Sequence, residues 1–154
     1  MIKENSNGVA YIAKDFSSLL SIKGLSDNLL KTHFTLYQSY AANTNKLLEK
    51  LQEIAKSGDP ATPEFAEMKR RFGWEWNGMR LHELYFENLA AQSAPLDNNS
   101  LFAKKAAENF GSLENWQKNF RAAGAMRGIG WVIAYYDPNA NKLINICSLG
   151  FIWQ

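Results

Sequence analysis

The stretch SDNLLKTHFTLYQSYAANTNKLLEKLQEIAK, residues 26–56, decides how the chain begins to fold. Leu29, Leu30, His33, Phe34, Tyr37, Tyr40, Ala41, Thr44, Leu47, Leu48, Leu51 and Ile54 recur at three- and four-residue steps. That is one stripe along a helix, whereas a strand would alternate every second residue. Ser26 or Asp27, just after Gly24, can cap the first turn, and SGDPATP at 57–63 supplies the glycine and prolines that stop a helix. The stretch therefore predicts one long amphipathic helix.

Downstream, a second helical run extends from about Pro63 to Ala91, with FGWEWNG at 72–78 as an expected irregularity in its middle. The connection is short enough to make the two helices antiparallel neighbours. After AQSAPLDNNS, residues 91–100, the pattern changes. Shorter helices are expected at 99–109 and 113–125, the latter capped by Ser112, and then GWVIAYYD and KLINICSLGFIW flank the turn residues PNAN as two strands of a hairpin. The fold class is α+β. A long antiparallel helical hairpin, residues 1–92, precedes a domain of helices and antiparallel sheet, residues 93–154. A lone two-stranded hairpin is marginal in water, and the sequence stops inside the apolar run SLGFIWQ, so the sheet reads as incomplete and the second domain as truncated.

Composition narrows the function. The 154 residues are 46% hydrophobic, enough to bury a core, and the formal net charge of +2 is spread over interspersed basic and acidic residues. Neither a nucleic acid nor an acidic membrane is indicated as a partner. Lys69, Arg70 and Arg71 form the densest basic run and read as a solvated helix face. The single cysteine, Cys147, permits no disulfide within the chain and reads as a buried strand residue. The N-terminus MIKENSNGVAYIAK has no signal-peptide core and no run approaches a membrane span, so a cytoplasmic location is expected.

The two histidines of the chain, His33 and His82, both fall inside apolar helical runs, the second in GMRLHELYFENL at 78–89. His33, Tyr37 and Tyr40 stand at i, i+4 and i+7, on one face. With the helices antiparallel, His82 can face His33 across the seam. Buried imidazoles need partners; a metal ion would serve both at once, and hydrogen bonds within the core are the plainer alternative. Paired cysteines with zinc spacing, a phosphate-binding glycine loop and a Glu-x-x-His carboxylate motif are all lacking.

YIAKDF at 11–16 with GLSDNLLKTHFTLYQSYAANTNKL at 24–47 resembles the N-terminal loop and first long helix of the iron/manganese superoxide dismutases. GMRLHELYFENL is similar to that family's second-helix motif, with Tyr85 and Phe86 following the histidine, and FGSLENWQKNF with GIGWVIAYYDPNANKLINI resembles the stretch leading into its sheet. The resemblance implies a mononuclear iron or manganese ion, superoxide as the substrate and a homodimer. It makes His33 and His82 the first two metal ligands and Tyr40 the gateway tyrosine, a group that polarises solvent near the substrate. The sequence departs from the family in several places. Its D-x-W-E-H motif, source of the third and fourth ligands, is not reached before Gln154. The two positions that can carry the solvent-bonding glutamine hold Gly78 and Arg127, and Tyr37 stands where a histidine is usual. The spacing from His33 to Tyr40 is one residue short of the family's. Two other readings stay open: a degenerate, catalytically incompetent member acting as a structural or interaction module, and a non-redox binding module with two core histidines.

Overall fold

A computed structural model of the protein describes residues 3–5 and 8–148 and divides into two compact units, Met1–Gln92 and Ser93–Gln154. The fold is α+β, as the pattern of elements predicts.

The first unit opens with β1 (Lys3–Asn5) and β2 (Gly8–Ala10), paired antiparallel with Lys3 opposite Ala10 and Asn5 opposite Gly8. Strands of three residues are too short for a periodicity reading. A strap of residues 11–16 and a 3₁₀ turn, Ser17–Leu19, lead to α1 (Asp27–Ser57). Its N-cap is Ser26, whose hydroxyl accepts the Leu29 N–H, and acidic Asp27 and basic Lys56 complement the helix dipole at opposite ends. Thr62 caps α2 (Pro63–Glu87) by accepting the Phe65 N–H, with Pro63 in the first turn, where its missing N–H costs nothing.

Two expectations for α2 need correction. FGWEWNG is not an irregularity, because residues 72–78 are continuous helix. The helix also closes at Glu87 rather than Ala91. Asn88 donates its side-chain amide to the Leu84 carbonyl at 2.7 Å, and the Leu89 N–H takes the Phe86 carbonyl three residues back, tightening the turn so that the helix does not continue.

Partners across the seam descend along α2 as they ascend along α1: Phe34 meets Phe86, Tyr37 meets Glu83, Tyr40 meets Gly78 and Asn43 meets Glu75. The helices are therefore antiparallel. Their core gathers Leu19, Ile22, Leu30, Tyr37, Ala41, Met79 and Phe86, with Phe34, Tyr40, Trp76 and Tyr85 packed around it. The basic run lies on the solvent side, where Arg70 pairs with Glu67 and Arg71 with Glu75.

In the second unit, Ser100 caps α3 (Leu101–Phe110) and Ser112 caps α4 (Leu113–Gly124), each accepting an N–H from three residues on. Gly111, at φ 82°, takes the left-handed conformation that ends α3. The hairpin joins β3 (Trp131–Asp137) to β4 (Lys142–Ser148), antiparallel, with Trp131 opposite Ser148 and Asp137 opposite Lys142. The Asp137 carboxylate accepts the Asn139 and Ala140 N–H groups and so folds the turn. Trp116 of α4 stands edge-on to Phe102 of α3 and donates to Asn145 of β4 at 2.9 Å, tying helices to sheet. The expected strand residues beyond Ser148 lie outside the described ones. Cys147 is exposed rather than buried, for it lies beyond Leu143 and Asn145 on β4 and borders an open groove with Gly124, Met126 and Ile129. Among the described residues, no helix is long and apolar enough to cross a membrane.

Candidate metal centre

The helical hairpin brings His33 of α1 and His82 of α2 together, their ring centroids 5.1 Å apart and their planes at 85°. His82 is buried at 3% exposure, while His33 is only half-buried, so one ring is sealed and the other borders solvent. Tyr40 tilts over the His82 ring at 5.3 Å and Tyr37 stacks beside it at 6.4 Å. Tyr85 and Phe86 stand edge-on to His33 at 5.4 and 5.6 Å.

One hydrogen bond orients the buried ring. His82 Nδ1 lies 2.6 Å from the Gly78 carbonyl oxygen, one turn earlier in α2. A carbonyl can only accept, so Nδ1 carries the proton and Nε2 the lone pair. Burial lowers the pKa of both imidazoles, and for His82 the nearby His33 lowers it further while the Gly78 carbonyl opposes. Both rings are thus held in the neutral form that ligates metals.

Gly78 serves this site in a second way. A Cβ at this position would sit 2.6 Å from Cδ1 and Cε1 of Tyr40, so the tyrosine ring occupies the space of a side chain at 78. The glutamine considered at this position therefore has no room beside Tyr40.

Behind the rings lies a charged network not anticipated from the sequence. Glu83, buried at 4% exposure, accepts the Tyr37 hydroxyl at 2.9 Å, pairs with Arg80 and lies 3.7 Å from Lys14. Tyr37 in turn accepts the Lys14 backbone N–H at 2.9 Å. Burial, reinforced by the hydrogen bond to Glu83, pushes its phenol up to about 12, against the Lys14 N–H. A glutamate following a histidine in an amphipathic run looks solvated; only the distant partner at Lys14 reveals otherwise. The strap is fastened further by Asn45, whose amide bonds both the N–H and the carbonyl of Tyr11, and by Trp76, which donates to the Tyr11 hydroxyl.

Among the described residues, no cluster of three or more His, Cys, Asp or Glu side chains is placed to hold a metal ion. The donor set at this point is two neutral imidazoles, which suits iron, manganese and other first-row metals and leaves further positions to other groups. Arg127 belongs to the second unit, exposed in the segment between α4 and β3.

A profile of the iron/manganese superoxide dismutases, C-terminal domain, matches residues 97–149. Superoxide dismutase [Mn] 2 of Haloferax volcanii is 31% identical over 123 residues, which cover 79% of this chain and 60% of that protein. Superoxide dismutase [Fe] of Cupriavidus metallidurans is 33% identical over 131 residues, 80% of this chain and 62% of that protein. Over about four-fifths of its length the chain is similar to iron/manganese superoxide dismutases, and residues 97–149 match that family's C-terminal domain. Superoxide dismutase [Fe] of Aquifex aeolicus extends the alignment to 85% of the chain, at 30% identity and 63% of its own length. The chain thus spans about three-fifths of the length of these relatives. Family members named for either metal match it comparably, so the likeness does not separate iron from manganese.

Proposed function

We propose that the protein dismutates superoxide at a mononuclear iron or manganese ion held in part by His33 and His82, with Tyr40 beside the site. The observation that carries this reading is the meeting of the chain's two neutral imidazoles, one with its tautomer fixed by the Gly78 carbonyl. Bound iron or manganese would supply the redox couple that alternately oxidises and reduces superoxide. The chain's own residues supply orientation and a dry wall. Gly78 fixes the direction of the His82 lone pair, and Phe86 and Tyr37, each 1% exposed, exclude water behind it. Tyr40, half-buried, places a phenol next to His82, where it can hold a proton for an incoming small anion. A cytoplasmic homodimer, without nucleic acid or membrane partners, belongs to the same reading.

The test is to load the protein with iron or with manganese, dialyse it, and measure bound metal and superoxide consumption together. Stoichiometric metal with activity that disappears in His82→Ala is the expected result. Metal-loaded protein without activity, or an active His82→Ala variant, would sink the proposal.

A further inference from the structure

The close approach of Tyr40 to Gly78 does more than leave a phenol near the site. Tyr40 reaches across from α1, and its ring lies where a Cβ at 78 would come within 2.6–2.9 Å of three ring carbons, Cδ1, Cε1 and Cζ. The same glycine offers the carbonyl that takes the His82 Nδ1–H, at 2.6 Å, and the tyrosine and histidine rings face each other at 5.3 Å and 36°. One ring therefore packs against both ends of the hydrogen bond that sets the tautomer of His82. Contact this close with the backbone is available only at a glycine, and a ring wedged there restricts both the local backbone and the rotation of the imidazole beside it.

We propose that Tyr40 is a positioning residue for His82, acting through its ring: it seats on Gly78, holds the Gly78 carbonyl and the His82 imidazole in register, and bars any side chain from position 78. The meaning of this for a metal rests on His82 being a ligand, as proposed above; the packing itself does not. A role of the tyrosine hydroxyl in handling protons is separate, because Phe retains the ring and Ala removes it.

The experiment uses the metal-free full chain with ¹⁵N-labelled histidine, reading the His82 ring nitrogens by NMR alongside the thermal midpoint. Wild type is expected to show a single Nδ1–H tautomer, and Tyr40→Phe to retain it. Tyr40→Ala is expected to give mixed tautomers in a folded protein, with Tyr40→Val giving the same readout should the alanine variant not fold. Gly78→Ala is expected to lower the midpoint by about 5 °C or more, and Tyr40→Ala to abolish that penalty in the double variant. If Gly78→Ala prevents folding, recovery of a folded protein in Gly78→Ala/Tyr40→Ala gives the same answer. An unchanged Nδ1–H signature in Tyr40→Ala, or an equal penalty for Gly78→Ala with and without the ring, overturns the proposal. Manganese(II) titration of the same variants separates the two claims: wild type that binds no metal removes the functional reading and leaves the tautomer result standing.

Discussion

Tyr37 donates its hydroxyl to the Glu83 carboxylate across the α1–α2 seam, and both side chains are almost wholly buried. A neutral phenol here satisfies one lone pair of a buried anion whose remaining partners, Arg80 and Lys14, are themselves partly exposed. Tyr37→Phe should therefore cost about 2 kcal/mol, since it strips a hydrogen bond from a charged acceptor and orphans the Lys14 N–H. Urea unfolding of the variant checks this, and a loss below about 0.5 kcal/mol would show that water replaces the hydroxyl.

Alkali should expose the same phenol. Its folded pKa, about 12, lies above the ordinary value of 10.0, so the folded state favours the protonated form. The stabilising contribution is complete below pH 10 and fades as pH rises toward 12, by roughly 2–3 kcal/mol. Unfolding followed from pH 9 to 12 should show this decline, and Tyr37→Phe should flatten it.

Acid acts on the histidines with the opposite sense. Burial lowers both imidazole pKa values in the folded state, so the unfolded chain binds protons first as pH falls below about 6.5. Stability of the metal-free protein is thus full above that value and declines below it. Unfolding midpoints in urea at pH 8, 6.5 and 5 test the slope; His82→Gln should reduce it, and a midpoint that stays level to pH 5 would contradict the account.

Asn45→Ala should release the strap. Both amide bonds to the Tyr11 backbone disappear together, at a cost of about 1–2 kcal/mol. Faster hydrogen exchange at the Tyr11 amide, with the α2 amides unchanged, is the expected signature.

In the second unit, Asn145→Leu should leave the Trp116 indole N–H and the Asn119 side chain without their shared partner, costing about 1–3 kcal/mol. A red shift of tryptophan emission at lower denaturant would report the loosening.

Much of the fold is legible in the sequence because it rests on local signals. The stripe from Leu29 to Ile54, the caps at Ser26 and Ser112 and the turn after Asp137 each need only neighbouring residues. The failures involve partners far along the chain or competing local bonds. The glycines of FGWEWNG read as breakers, yet Gly78 is small because a ring from α1 needs its space. The end of α2 is equally hidden, because Leu89 continues the apolar spacing while the Asn88 side chain closes the last turn. Pairing of His33 with His82 follows from helix direction and is visible beforehand; the burial of Glu83 is not, since it depends on Lys14 and Tyr37 arriving from elsewhere.

The strap carries a consequence for biosynthesis. Lys14 bonds Glu87, 73 positions later, and Tyr11 receives its hydrogen bond from Trp76, 65 positions later. Closing loops of that length is slow compared with winding a helix. On the ribosome, α1 can coil as soon as it emerges and offer Asn45 and Tyr37 to residues 11–16, but the partners Trp76, Glu83 and Glu87 arrive only when α2 has cleared the exit tunnel, so the segment made early is among the last to settle fully. Slowing translation within α2 would prolong that incompletely docked interval, and a chaperone that binds extended apolar chain would find Tyr11, Ile12 and Phe16 within reach during it.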